Sequence, residues 1–269
     1  KEWKFPESLA AVELGKKLVD DFYNLPITCA KEGKLAQALK DDENSYVFLE
    51  PEITNDKGFA MTNSFSSMLL ATLLIFDTKT KNKKEIVEKI SKLGKEIYDR
   101  LEEIENLVNF DFNRVVYLGS GPLGKLTKEA RLKILELTAG EVATIWESSM
   151  GFRHGPKSFV DEKSLVVSFV SSNPYTRDYD LDILNEIAAD KIAPKVIALA
   201  NSDIEGDFDK LVYENNVDND VYLALPYVIV AQLISLITSL RVGNTPDNPS
   251  KSGTVNRVVK GVTIHPYNA

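Results

Sequence analysis

Two adjacent segments of the chain read Val115-Val116-Tyr117-Leu118 and Gly119-Ser120-Gly121-Pro122, and after six further residues a third reads Glu129-Ala130-Arg131-Leu132-Lys133-Ile134-Leu135-Glu136. The first is a short apolar run that is typical of a buried strand, and the glycines after it indicate a tight turn. The third has apolar residues at helical spacing. A strand, a tight loop and a helix in this order predict the repeating unit of a parallel α/β sheet.

Three charged residues of the predicted helix, Glu129, Lys133 and Glu136, fall at i, i+4 and i+7 and share one narrow stripe. Apolar residues flank this stripe on both sides, whereas an exposed amphipathic helix has one charged half and one apolar half. The stripe is therefore expected to face a pocket, a cleft or a partner, because buried charges need compensation. The alternative is an exposed ion pair worth about 0.2–0.5 kcal/mol, and the pattern alone leaves both open.

The turn Gly119-Ser120-Gly121 is expected at the carboxyl end of a strand and just before a helix. Open parallel sheets bind ligands at that edge. Free backbone N–H groups and the helix dipole make such a place suitable for an anion. The other interpretation is a glycine turn that only permits close packing of the strand on the helix, and the two carry equal weight.

The bulk properties exclude several classes of protein. The 269 residues suffice for one large or two small domains, and the net charge of −8 argues against a nucleic-acid-binding surface. Cys29 has no partner for an internal disulfide and is expected to be a buried structural thiol, which fits a reducing cytosol. We find no zinc-ligand spacing, no signal peptide and no apolar run of the roughly 18–20 residues that a membrane span needs. We therefore expect a cytoplasmic protein without a metal and without membrane contact.

Apolar periodicity divides the chain into two α/β units. We expect a first unit over 1–78, a connecting helix over 79–109, a second unit over 110–240 and an irregular C-terminal tail over 241–269 that docks on the body or on a neighbouring subunit. The predicted strands are 25–29, 46–49, 115–118, 142–146, 164–170 and 195–199, and the main predicted helices are 6–23, 34–39, 65–76, 178–189 and 221–240.

Longer strings carry a resemblance to a known family. They are Y-L-G-S-G-P, E-A-R-L-K-I-L-E-L-T-A-G and G-F-R-H-G-P-K-S within 114–157, then Y-T-R-D-Y-D-L-D at 175–182 and G-T-V-N-R-V-V-K-G at 253–261. From Pro6 to its C-terminus the chain resembles the sugar isomerase (SIS) domain proteins. Within them it is most similar to the galactosamine-6-phosphate deaminase/isomerase family, often named tagatose-6-phosphate ketose/aldose isomerases. The resemblance implies two three-layer αβα units with parallel, flavodoxin-like sheets.

The same resemblance implies a reaction. A phosphosugar aldose–ketose isomerase/deaminase would convert galactosamine-6-phosphate to tagatose-6-phosphate and release ammonia, by ring opening and proton transfer between C1 and C2. It would be an intramolecular oxidoreductase or an amino-sugar deaminase, which is a hydrolase, and it would need no metal or redox cofactor. The alternative is a non-catalytic SIS module that senses a phosphosugar and regulates a partner. The charged stripe favours the enzyme, because a sensor needs phosphate donors but no base.

A more distant resemblance, to the isomerase half of glucosamine-6-phosphate synthase, implies roles for single residues. The last glutamate of that enzyme's E-G-A-L-K-L-K-E helix is its catalytic base and matches Glu136. The first glutamate and the lysine of that helix match Glu129 and Lys133, the expected surroundings of the substrate. The histidine of its K-H-G-P motif assists ring opening in the neighbouring subunit's site and matches His154, which implies a homo-oligomer, a dimer or larger. A lysine of its C-terminal tail matches Lys260 as a third catalytic candidate.

The sequence departs from the family at its N-terminal end. The family has a serine-rich phosphate loop, S-x-S-G-x-S, directly before the P-E-S that begins a helix, whereas Lys1-Glu2-Trp3-Lys4-Phe5 precedes Pro6 here. We therefore expect the chain to be a fragment or to lack residues near Phe5 and Pro6, which would leave the first unit incomplete and its phosphate clamp unassigned. Ser120, in the glycine turn, and Thr62, in the turn at 60–64, are the remaining substrate-binding candidates.

Overall fold

The computed structural model describes residues 6–259 and 261–267, and the chain divides into two compact units. Unit 1 consists of residues 1–76 and 250–269, and unit 2 of residues 77–249. The predicted tail is thus not one piece, because residues up to 249 belong to unit 2 and the following residues to unit 1. The predicted connecting segment also lies within unit 2 rather than between the units.

The described residues of unit 1 form three helices and a small parallel sheet. The helices are α1 (Pro6–Leu18), α2 (Lys34–Leu39) and α3 (Asn63–Phe76), and the paired strands are β1 (Ile27–Thr28) and β2 (Phe48–Leu49), with a 3₁₀ helix at Glu52–Thr54. The predicted strands at 25–29 and 46–49 are therefore too long, because in the part of the chain that the structure describes the ladder is extended beyond these two pairs by one isolated bridge, Asn24 to Ser45. Helix α1 ends before the predicted residue 23, since the acidic pair Asp20 and Asp21 would be unfavourable at a helix C-terminus.

Side-chain hydrogen bonds order the polar segments of unit 1. The buried Asp56 carboxylate accepts hydrogen bonds from the backbone N–H groups of Asn63 and Ser64, both at 2.9 Å, and so caps the start of α3. Cys29 is half-buried rather than buried, and its Sγ accepts a hydrogen bond from Thr54 Oγ1 at 3.2 Å.

Unit 2 is a five-stranded parallel sheet with helices on both faces. Its elements in chain order are α4 (Lys83–Asp99), α5 (Leu101–Leu107), β3 (Arg114–Gly119), α6 (Gly121–Leu137), β4 (Ala143–Ser148), β5 (Ser164–Phe169), α7 (Pro174–Asp190), β6 (Lys195–Ala200), β7 (Asp209–Val212) and α8 (Asp220–Arg241). The strand order is β4-β3-β5-β6-β7, and every pairing is parallel. The predicted parallel α/β fold is confirmed.

Alternation along β3 places side chains on both faces of the sheet. Val116 and Leu118 belong to a buried cluster with Ile183 of α7. Between them, Tyr117 points to the other face, where its ring stacks on Phe169 at 6.0 Å. The Phe169 ring lies a further 6.0 Å from that of Tyr227 in α8. The core therefore has two layers, one under α7 and one under α6 and α8, and this three-layer arrangement fixes the strand ends where ligands bind in such folds.

Helix α8 corrects one expectation. It spans 22 residues and is, by length and composition, apolar enough to cross a membrane, so the prediction that no segment reaches that length was wrong. Most of its residues are buried within unit 2, where it packs against α4 and α6. A helix that is apolar all round is expected at such a central position.

The predicted long helix over 79–109 is two helices, which meet at Arg100. The Arg100 guanidinium donates a hydrogen bond to the Val212 carbonyl and lies 4.8 Å from the centre of the Tyr213 ring. These contacts hold the break in place. Strand β7 was not predicted, because Asp209 and Lys210 give it a charged first half.

The Glu96 carboxylate fixes the loop after β7 to α4, and its replacement tests this anchor. It accepts hydrogen bonds from Glu214 N at 2.8 Å, Asn215 N at 3.0 Å and Asn215 Nδ2 at 2.7 Å. Burial would raise the pKa of Glu96, but these hydrogen bonds outweigh burial and lower the pKa. We expect Glu96→Gln to lower the free energy of unfolding by about 1–3 kcal/mol at pH 7 in urea denaturation.

The pH dependence has a definite sign. A carboxyl whose pKa is lower in the folded state stabilises the fold above its unfolded pKa, and this stabilisation is lost as the pH falls. The difference between Glu96→Gln and the parent protein should therefore shrink below about pH 4. The exposed Glu88 of the same helix gives the control, and Glu88→Gln should change stability by less than about 0.5 kcal/mol. Equal changes in the free energy of unfolding for the two substitutions would contradict the role of Glu96 as an anchor of the loop after β7.

Candidate functional site

The glycine turn after β3 is required by close packing. A Cβ added at Gly119 would lie 3.0 Å from the Leu123 backbone, and one added at Gly124 would lie 2.7 Å from the Gly119 carbonyl oxygen. Gly121 has a φ of 52°, in the left-handed region that favours glycine. The packing interpretation of this turn is therefore correct, and the proposed anion site at the start of α6 stays a prediction.

One buried carboxylate joins the ends of three strands. Asp180, in the interior of α7, accepts hydrogen bonds at Oδ1 from the hydroxyls of Ser120 and Ser149 and at Oδ2 from the Ser171 backbone N–H, the last at 2.9 Å. Ser120 directly follows β3, Ser149 directly follows β4, and Ser171 lies two residues after β5. Burial raises the pKa of the Asp180 carboxyl, whereas the two serine hydrogen bonds lower it.

A second carboxylate continues this network at the start of α8. Asp220 accepts hydrogen bonds from the Ser171 hydroxyl and from both the backbone N–H and the hydroxyl of Ser172, the last two at 2.7 Å. Ser171 therefore bridges the two acids, with its N–H on Asp180 and its hydroxyl on Asp220. The carboxyl edge of the sheet is thus held by hydrogen bonds from serines to acids.

The charged stripe of α6 is buried. Lys133 Nζ lies 3.2 Å from Glu129 Oε1 and 2.8 Å from Glu136 Oε2, and the exposed fractions of the three side chains are 4%, 15% and 26% respectively. An exposed helix-surface pair is thereby ruled out. That the stripe faces a pocket, a cleft or a partner stays a prediction. Glu136 is the most accessible of the three groups.

The electrostatics of the stripe follow from its burial. Burial raises the pKa of Glu129, and the negative charge of Glu136 raises it further, while the Lys133 ammonium lowers it. Two carboxylates share one ammonium. A partly exposed carboxylate beside a fixed cation can accept a proton from a bound molecule while the cation stabilises the developing negative charge.

His154 lies on the segment after β4. It ends the 3₁₀ helix Gly151–Arg153, its ring is exposed, and the following Gly155 has a φ of 122°. Ion pairs attach this segment to α7: Glu186 lies 2.6 Å from both Arg153 Nε and Lys157 Nζ. The exposed imidazole therefore lies on a segment that these ion pairs hold against α7.

The structure places the predicted site residues in several locations. Glu129, Lys133 and Glu136 contact one another on α6. Ser120 donates its hydroxyl hydrogen to Asp180, and Thr62, in unit 1, donates to Asp56 Oδ1 at 3.3 Å.

Two further predicted residues are not joined to that set. Among the residues that the structure describes, no hydrogen bond or ion pair connects His154 with Glu136. Lys260 lies outside the described residues.

Asp180, Ser149 and Asp220 were missed by sequence reasoning. A signal for Asp180 existed, because it precedes the buried Ile183 and Leu184 by three and four residues and so lies on the apolar stripe of α7. An acid in such a stripe indicates a buried polar role. In residues 6–259 and 261–267, no three His, Cys, Asp or Glu side chains are grouped to hold a metal ion.

Removal of the shared cation tests the energetics of the stripe. We expect Lys133→Met to lower the free energy of unfolding by about 3 kcal/mol at pH 8, because it leaves two carboxylates without their cation. A carboxyl whose pKa is raised on folding binds a proton more readily in the folded state, so the loss should shrink as the pH falls from 8 to 5. Thermal and urea denaturation across this range measure it.

The exposed Lys125 of the same helix is the control, and Lys125→Met should have little effect at any pH. A loss for Lys133→Met that does not depend on pH would contradict the electrostatic explanation.

Comparison with known proteins supplies the family. No family model matches the chain. Over 277 residues it is 45% identical to D-galactosamine-6-phosphate deaminase AgaS of Escherichia coli, a match that covers 98% of this chain and 70% of that protein.

Two solved structures are also similar. The crystal structure of tagatose-6-phosphate ketose/aldose isomerase from Escherichia coli has a TM-score of 0.88 and 40% identity, and covers 99% of this chain and 70% of that one. The C-terminal domain of glucosamine-fructose-6-phosphate aminotransferase from Francisella tularensis shares the fold, with a TM-score of 0.74 and 20% identity over 91% of this chain and 70% of that one. The chain therefore belongs to the AgaS galactosamine-6-phosphate deaminase family of SIS-domain proteins.

Proposed function

We propose that this protein is a sugar-phosphate deaminase/isomerase that converts galactosamine-6-phosphate and water to tagatose-6-phosphate and ammonia. The observation that carries the proposal is the buried Glu129–Lys133–Glu136 cluster, which supplies a base next to a fixed cation. The family membership agrees with it, since a relative of 45% identity is named for this deamination.

The first step is ring opening, which needs a group that can both give and take a proton near neutral pH. An imidazole has this property, and His154 is exposed on a segment held to α7. His154 would protonate the ring oxygen as the C1 hydroxyl loses its proton, and the open-chain aldehyde forms. No protein–substrate bond is required.

In the second step Glu136 acts as the base. It removes the proton from C2, the electron pair moves into a C1–C2 double bond, and the carbonyl oxygen at C1 takes up a proton. Return of a proton to C1 leaves an iminium group at C2. Water adds to this group and ammonia leaves, which yields the ketose. With a hydroxyl group at C2 instead, the same transfer is an aldose–ketose isomerisation.

The remaining residues support these steps. Lys133 holds Glu136 at 2.8 Å and stabilises the negative charge that develops on the enol intermediate. Glu129 binds the second side of the same ammonium. We assign Lys260 to the same charge stabilisation and Ser120 and Thr62 to substrate binding.

We propose that the protein acts in the cytoplasm as a homo-oligomer, with His154 serving the neighbouring subunit's site. Neither a metal nor a redox cofactor takes part in the steps above, and the reaction with the amino sugar is formally a hydrolysis.

Loss of the base tests the reaction directly. We expect Glu136→Gln to reduce ammonia and ketose release from galactosamine-6-phosphate by about 10²–10⁴-fold, since the amide cannot accept the C2 proton. A coupled assay for ammonia and a separate assay for the ketose measure it, with exposed Glu162→Gln as the matched control. Undiminished turnover in Glu136→Gln would refute this base, and substrate binding without turnover in the parent protein would indicate a non-catalytic sensor instead.

The proposed exchange of His154 between subunits makes a second prediction. His154→Ala and Glu136→Gln should each be nearly inactive alone, but their mixture should regain activity after subunit exchange. For a random mixture of dimers, half of the dimers are mixed and each has one intact site, so we expect about a quarter of the parent activity. A mixture as inactive as its components would show that both residues serve one subunit's own site.

A further inference from the structure

Asp180 is a buried acid that the proposed chemistry does not use. It has no exposed surface and lies on the stripe of α7 that packs Ile183 and Leu184 into the core. A buried carboxyl is costly unless hydrogen bonds compensate it, and an apolar side chain would pack at this position without that cost. The hydrogen bonds that Asp180 accepts therefore indicate what the acid is for.

The hydrogen bonds of Asp180 lead to both segments of the proposed chemistry. Ser120 is the residue before α6, the helix that carries Glu136. Ser149 begins the segment that carries His154. The hydroxyls of both serines donate to the same oxygen, Oδ1, of Asp180. A single atom thus fixes the starts of both segments.

The other oxygen sets the orientation of the carboxyl group. Asp180 Oδ2 accepts the Ser171 N–H at 2.9 Å, and the Ser171 hydroxyl donates to Asp220 at the start of α8. Because Asp220 also accepts two hydrogen bonds from Ser172, the Ser171 backbone is itself held. Oδ1 is therefore presented to the two serines from a fixed direction.

We infer that Asp180 is a positioning residue, which holds the start of α6 and the start of the His154 segment at the carboxyl edge of the sheet. The inference rests on the proposed function for the roles of Glu136 and His154. Asp180 does not touch the reacting atoms. It acts through Ser120 on the proton-transfer helix and through Ser149 on the ring-opening segment.

Four variants distinguish the connection through Ser120 from the connection through Ser149. Asp180→Asn keeps one oxygen for the serine hydroxyls but turns an amide N–H₂ toward the Ser171 N–H, and Asp180→Leu removes both acceptors. Ser120→Ala and Ser149→Ala each remove one connection. The control is Asp182→Asn, the same change on an exposed residue of the same helix.

The activity test uses galactosamine-6-phosphate with hydrogen or deuterium at C2. We expect Asp180→Leu to lower kcat by about 100-fold with KM within about 3-fold, because misplacement slows chemistry more than binding. Asp180→Asn should recover part of this loss.

Ser120→Ala should enlarge the isotope effect, since proton transfer becomes slower, and Ser149→Ala should suppress it toward unity, since ring opening becomes limiting. Isotope effects that stay at the parent value in both serine variants would overturn the inference.

A second readout does not need activity. Amide hydrogen exchange of Asp180→Asn should be faster than in the parent protein in residues 121–127 and in 150–155, and unchanged for Asp182→Asn. Parent-like exchange in both segments would overturn the inference even if activity fell. If the parent protein releases no ammonia, the proposed function fails, and the exchange rates alone decide whether Asp180 holds the two segments. If Asp180→Leu does not fold, Asp180→Asn and the two serine variants give the same decision.

Discussion

The contact of Lys133 with two carboxylates is the constraint on which the proposed function of unit 2 depends. An ammonium with 4% exposure is tolerated only because Glu129 and Glu136 compensate it. The same compensation keeps Glu136, the more exposed acid, at a defined place beside a positive charge. The stability of α6 and the proposed proton transfer therefore depend on the same three residues, because the ammonium that compensates the buried acids also lies beside the proposed base.

The carboxyl edge of the sheet shows a complementary principle. Helix α6 brings its charges to a site only if its start is fixed, and the close approach at Gly119 and Gly124 fixes it sterically. Hydrogen bonds to Asp180 and Asp220 fix the neighbouring loops. Steric contact fixes the position of α6 relative to β3, whereas hydrogen bonds fix the positions of the loops relative to one another. The edge of a parallel sheet becomes a rigid platform by these two means together.

Local signals made part of this structure predictable from the sequence. The apolar run of β5 and the spacing of the α6 stripe each reveal an element within a single window, and the apolar flanks of the stripe favoured burial without deciding it. Contacts distant in sequence escaped prediction. The helix break at Arg100 depends on the Val212 carbonyl, 112 residues away, and Asp180 depends on hydroxyls from two other loops. The candidate site was therefore predictable as a set of charges on one helix, but the hydrogen bonds around Asp180 were not predictable.

The position of α8 in the chain has a consequence for the order of folding. This helix covers the face of the sheet on which Tyr117 and Phe169 stack, yet it follows all five strands in sequence. During synthesis the part of that apolar face that α6 does not cover stays open until residues beyond Arg241 have left the ribosome. The nascent chain therefore exposes the apolar helix α8 and the sheet face that α8 later covers at the same stage. A chaperone would be most useful to the chain at that stage.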